Sequence, residues 1–141
     1  VIKIAETDGE IDNCFDVMSE LRPNLIQKDF LSIVRQMEKE GFQLAYIEEQ
    51  EKVISVAGFR IATNLFMGRH LYVDDLVTSE QARSNGYGKK LISWLQTKAE
   101  EEKCDYFHLD SGTQRDRAHK FYFTQGFSIA SYHFNKNISG S

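Results

Sequence analysis

Proline is almost missing from this chain: Pro23 is the single one in 141 residues. With it go linkers, low-complexity stretches and internal repeats, so one domain spanning residues 1–141 is expected. Cysteine is scarce as well. Cys14 and Cys104 make no C-x-x-C pair, which removes support for a zinc ribbon or a thioredoxin-type site. A reduced, cytoplasmic protein is the expectation. No apolar run reaches the ~18 residues of a membrane span, so no membrane partner is expected. The opening Val-Ile-Lys-Ile alternates like a strand and not like a signal peptide. A basic surplus is lacking too. Lys and Arg number 17 against 21 Asp and Glu, a net charge of −4, which argues against a general nucleic-acid binder. The four histidines show no H-x-x-x-H spacing, and no metal is expected.

What is present is an ordinary globular composition, 41% hydrophobic and 27% charged. A chain of this size hides about two-thirds of its unfolded surface. Residues 1–6 alternate as a strand. Asp8 or Asp12 is placed to cap a helix carrying Ile11, Phe15, Met18 and Leu21 inward, which Pro23 breaks. A second helix over 28–40 has Phe30, Ile33, Val34 and Met37 as its stripe and ends at Gly41. Strands over 42–47 and 53–62 read as a hairpin. A strand at 70–78, a helix over 87–103, a short strand at 106–110, a helix over 115–125 and a last strand at 127–134 complete the order β-α-α-β-β-β-α-β-α-β. Meandering strands followed by β-α-β units predict an α/β fold with a mixed sheet and helices on both faces.

The most informative stretch is Arg83-Ser84-Asn85-Gly86-Tyr87-Gly88-Lys89-Lys90-Leu91, which joins the strand 70–78 to a helix. A glycine loop that opens a helix turns several backbone N–H groups, and the positive end of the dipole, toward one spot, where an anionic group binds. Two nucleotide motifs fail. A dinucleotide fingerprint needs glycine where Leu91 stands. A P-loop needs an earlier glycine and a Lys followed by Ser or Thr.

The remaining pattern, Arg-x-x-Gly-x-Gly after Leu76-Val77-Thr78, resembles the acyl-CoA loop of the GNAT superfamily of N-acetyltransferases. The segment Ala118-His119-Lys120-Phe121-Tyr122-Phe123-Thr124-Gln125-Gly126-Phe127 is similar to that family's Ala-x-x-x-Tyr-x-x-x-Gly-Phe helix, in the expected order. Asp74-Asp75-Leu76-Val77-Thr78, the run Leu109 to Arg115, and Tyr132-His133-Phe134 resemble an uncharacterised bacterial branch. The resemblance implies an acyl-CoA N-acyltransferase fold with acetyl-CoA as acyl donor. Backbone groups at Leu76, Val77 and Thr78 would pair with the pantetheine arm. The N–H groups of Arg83, Ser84, Asn85, Gly86, Tyr87, Gly88 and Lys89 would hold the pyrophosphate. The acceptor would be a primary amine of a small molecule or peptide, and homodimers are an assembly state to expect. Gln114-Arg115 departs from the family, in which many members carry an Asn near position 115.

Acetyl transfer to an amine needs a proton acceptor for the amine, donors for an oxyanion, and a proton for the leaving thiolate. Tyr122 is the candidate acid, since a phenol stays protonated at neutral pH. A backbone N–H near Val77 or Thr78 would meet the oxyanion. For the base, Asp74 and Asp110 are the candidates, with Asp75 behind them. Strand alternation predicts that Asp74 and Asp75 face opposite sides of the sheet. Asp110 lies twelve residues before Tyr122, a spacing resembling a strand-end base in some ribosomal-protein acetyltransferases. Each carboxylate also reads as a cap, a turn residue or a surface ion pair. His119 and His133 are further candidates, since imidazole as a side chain serves acid–base chemistry, and Arg69, Arg115 and Arg117 are candidates for the cofactor phosphates. The segment 21–28 and the turn 64–69 are expected to border the acceptor cleft. A non-catalytic acyl-CoA-binding regulatory module is the alternative reading, and a generic nucleotide binder a third.

Overall fold

The computed structural model describes residues 1–140. The chain packs as two compact units, a larger one over Val1–Leu109 and a smaller one from Asp110 onward.

The larger unit is built on a five-stranded sheet in the order β1-β2-β3-β4-β5. Its strands are β1 Ile2–Ile4, β2 Phe42–Glu49, β3 Lys52–Asn64, β4 Gly68–Thr78 and β5 Tyr106–Leu109. The first four pair antiparallel and β4–β5 is parallel. Helices α1 (Asp8–Asn13), α2 (Phe15–Leu21) and α3 (Gln27–Glu38) follow β1, and α4 (Tyr87–Glu101) joins β4 to β5. The mixed sheet is therefore as read from the sequence.

Alternation along the strands supplies two cores. Leu44, Tyr46 and Val56 pack with Ile11, Val17, Met18, Phe30 and Val34 of α1–α3. Ala45, Ile47, Ala57 and Phe59 pack with Leu91, Leu95 and Ala99 of α4. The β2–β3 hairpin turns on Gln50 and Glu51, both at positive φ (52° and 64°), as the right-handed strand twist favours in a two-residue loop.

Three expectations need correction. The first helix is split at Cys14, whose N–H reaches back only to Ile11 O (3.0 Å) while its Sγ donates to Glu10 O (3.4 Å). That tighter turn interrupts the α-helical ladder. Its cap is Thr7 and neither Asp8 nor Asp12. Thr7 Oγ1 accepts from Glu10 N (3.1 Å) and Glu10 Oε1 from Thr7 N (2.9 Å), a reciprocal capping box. The last strand, 127–134, does not form. The apolar alternation is there, but no described strand pairs with it, and Ile129, Tyr132 and Phe134 are exposed. A strand without a partner ladder leaves its backbone groups to water.

The smaller unit carries α5 (Asp116–Thr124). Gly126 (φ 91°) ends it. Gly126 N donates to Phe123 O and Phe127 N to Tyr122 O, both at 3.1 Å. These are the two bonds of a Schellman stop.

Candidate active site

In the larger unit, β4 runs out of its parallel partner before it ends. The β4–β5 ladder spans His70↔Tyr106 to Val73↔Leu109, whereas β4 stays paired with β3 as far as Thr78↔Ser55. The stretch Leu76–Thr78 is fixed from the β3 side. Ser55 Oγ donates to Val77 O (3.2 Å) and shares a hydrogen bond with Thr78 Oγ1 (2.9 Å), and Ser79 N donates to Ile54 O (2.8 Å).

A short 3-10 turn, Glu80–Ala82, then leads into the loop. Ser84 (φ 70°) and Gly86 (φ 82°) are both left-handed, and Gly86 opens α4 with no side-chain cap. Asn85 Nδ2 donates to Ala82 O (3.0 Å), bracing the loop from below. The first backbone bond of the helix is Lys90 N to Gly86 O. Among the described residues, the six N–H groups from Ser84 to Lys89 donate to no protein acceptor. Unpaired donors of this kind, at the positive end of a helix of 15 residues, attract an anion. The cofactor-loop residues expected from the sequence thus lie together on one strand end, one loop and one helix start.

The carboxylates are arranged differently from the alternation rule. Gly58 pairs with Asp75 and Phe59 with Val73, so Asp74 is the extra residue of a β-bulge. The bulge changes the parity of β4. Leu71 and Val73 belong to the α4-side core, whereas Val77 belongs to the α1–α3 side. Asp74 and Asp75 are both held by arginines on the α1–α3 side and do not face opposite ways. Arg60, whose guanidinium lies over the Phe42 ring (5.6 Å), bonds Asp74 at 3.0 and 3.2 Å. Arg22 Nε bonds Asp75 Oδ1 at 2.8 Å, and its Nη2 reaches Asp74 O at 3.2 Å. Burial raises the Asp74 pKa, with Arg60 opposing in part.

Sequence reasoning missed three things on this same face. It did not find the arginine partners. It did not find an imidazole pair, His108 Nε2 to His70 Nδ1 at 2.8 Å, with His70 Nε2 3.2 Å from Asn64 Nδ2. It also missed the packing of Tyr72 on His108, ring centroids 5.0 Å apart. The signal was faint: His70 and Tyr72 stand two apart on β4, and His108 is the register partner of Tyr72. A cavity of about 520 Å3 opens beside Asp75, bordered by Leu21 to Leu25 and not by the 64–69 turn. Arg69 is engaged by Glu102, at 2.7 Å to its carbonyl and 2.9 Å to its carboxylate. Among the described residues no cluster of His, Cys, Asp and Glu could hold a metal, and no helix is long and apolar enough to cross a membrane.

In the smaller unit, the Schellman stop places the Tyr122 ring against Phe127 (5.9 Å) and beside Phe121 (5.5 Å). The Gly-Phe of the motif thus has a local purpose, since the residue after the glycine packs back on the one three before the helix end. Burial raises the Tyr122 pKa, with Arg115 opposing in part. Asp110 is half exposed and 3.8 Å from His133 Nδ1. His119 Nε2 lies 2.7 Å from Gly112 O.

The comparisons with known proteins agree with this geometry. The family model described as Acetyltransferase (GNAT) family matches residues 11–127. An uncharacterised N-acetyltransferase of Bacillus subtilis, YhdJ, is 34% identical over 126 residues, covering 88% of this chain and 89% of its own. Among solved structures, an acetyltransferase of Trypanosoma brucei superposes with a TM-score of 0.80 at 19% identity over 98% of this chain and 99% of its own. AAC(6')-Iy, in complex with the bisubstrate analogue CoA-S-monomethyl-acetylneamine, does so at 0.83 and 13% over 97% of each chain. The fold, the strand-to-helix loop and the matched length together make this chain a member of the GNAT acetyltransferase family.

Proposed function

We propose that the protein is a cytoplasmic, single-domain N-acetyltransferase. It moves an acetyl group from acetyl-CoA to a primary amine by direct attack in a ternary complex. The observation that carries this reading is the run of six N–H groups from Ser84 to Lys89 with no acceptor among the described residues, in a chain of this family. In this reading Arg83 to Lys89 cradle the CoA pyrophosphate, and Leu76, Val77 and Thr78 bind the pantetheine arm.

The ammonium first loses a proton to Asp74 or Asp110. The neutral nitrogen attacks the thioester carbonyl, a C–N bond forms, and the oxyanion is met by a backbone N–H near Val77 or Thr78. The C–S bond then breaks. The thiolate takes a proton from Tyr122, and the surplus proton of the new amide nitrogen leaves to solvent. The products are an amide and CoA thiol. Raising the Tyr122 pKa keeps the phenol in the form that can donate.

The test is thiol release from acetyl-CoA with an amine panel. Tyr122→Phe should lower kcat by about a hundredfold while leaving acetyl-CoA binding intact. If Tyr122→Phe and Asp110→Asn both leave the rate untouched, the mechanism is wrong. Tight CoA binding with no turnover on any amine would instead establish an acyl-CoA-binding regulatory module.

A further inference from the structure

The cavity in the larger unit says something about the acceptor. Its volume, about 520 Å3, lies within the roughly 300–1,000 Å3 of small-ligand pockets. Leu25, Ile33, Met37 and Phe42 give it an apolar wall. The Phe42 ring comes close to the strand there because Gly58 has no side chain; a Cβ at position 58 would sit 2.5 Å from the ring. Polar groups enter the lining only at Arg22, Asn24 and Asp75. Asp75 is the informative one. Its Oδ1 is taken by Arg22, while its Oδ2 accepts no hydrogen bond from any described residue. An ionised carboxylate oxygen at the wall of an apolar cavity calls for a donor. Asp75 also directly precedes Leu76, where the donor-binding stretch of the transfer reading begins.

We propose that the acceptor is a primary amine on a bulky apolar body, the body filling this cavity and the ammonium held at Asp75 Oδ2. The inference rests on the acetyl-transfer reading and narrows it. Amines bearing many hydroxyls or several charges are disfavoured, because their polar groups find no partners along the wall.

The test is a straight-chain series from butylamine to octylamine, with glucosamine and spermidine as polar competitors, at saturating acetyl-CoA. The expected kcat/KM climbs about fourfold per methylene until the cavity is full. Octylamine exceeds both competitors by more than about tenfold, a margin less than the product of two such steps. Ile33→Asn, at a position 42% exposed and so tolerant of a polar side chain, flattens the series without moving KM for acetyl-CoA. Asp75→Asn raises the amine KM at every length. Calorimetry of octylamine and glucosamine on the CoA-loaded protein reads the same preference without turnover. A flat series, or a polar amine that matches octylamine, overturns the proposal and leaves acetyl transfer standing. Failure to bind acetyl-CoA overturns the transfer reading and the proposal with it.

Discussion

Asp74 combines burial with an arginine partner, and the two act oppositely on its proton. Burial is the larger effect, so its pKa is raised. A base works only when deprotonated. With Asp74 as the base, kcat/KM falls on the acid side through a limb displaced upward from the ordinary carboxylate value. Asp74→Asn removes that limb, and a pH–rate profile of both proteins checks it. Gly58 is a packing residue of another kind. A Cβ there would meet the Phe42 ring at 2.5 and 2.6 Å and Asp75 Oδ2 at 3.1 Å. Phe42 is buried and cannot withdraw freely. Gly58→Ala should therefore cost about 1–3 kcal/mol in urea unfolding, as overpacked cores do.

The loop into α4 was legible because glycine spacing and helix periodicity are local signals. Gly86 indeed takes the positive φ that glycine permits. Nothing lies within 4 Å of a Cβ there, so Gly86→Val should disturb conformation and not packing. The expected result is a strain of about 1–2 kcal/mol and weaker CoA binding, with the fold retained. Calorimetry alongside circular dichroism tests it. What was not legible depends on partners distant in sequence. The split at Cys14 follows from a thiol that bonds the preceding turn. The His70–His108 pair exists only because β5 lies beside β4. The alternation over 127–134 has the composition of a strand, yet forms none, since composition cannot supply a neighbouring edge. The parity change at Asp74 left no trace in the local pattern, which is why the two carboxylates were expected on opposite faces.

At the scale of the whole molecule, the core is concentrated in the larger unit, and α5 has no fully buried residue. Hydrogen exchange followed by mass spectrometry should find strong protection over β3 and β4. Over 128–134, beyond the helix stop and with no strand ladder to hold the amides, exchange should be near the unprotected rate. Comparable protection of the two regions would contradict this. The bulge at Asp74 reaches furthest. Upstream of it the odd-numbered Leu71 and Val73 face the α4 core, and downstream the odd-numbered Val77 faces the α1–α3 core while Leu76 packs on the α4 side. Asp74 thus acts on the strand as an inserted base acts on a reading frame. Deleting that one residue would remove a part-buried carboxylate and leave Arg60 without its partner on β4. It would also restore strict alternation: Val73 and Asp75 would follow one another opposite Phe59 and Gly58, so Asp75, Leu76 and Val77 would keep their faces while the bend of the bulge was lost. A point substitution at 74 edits one side chain and keeps the bend, whereas a deletion at 74 straightens the strand and re-aims its end.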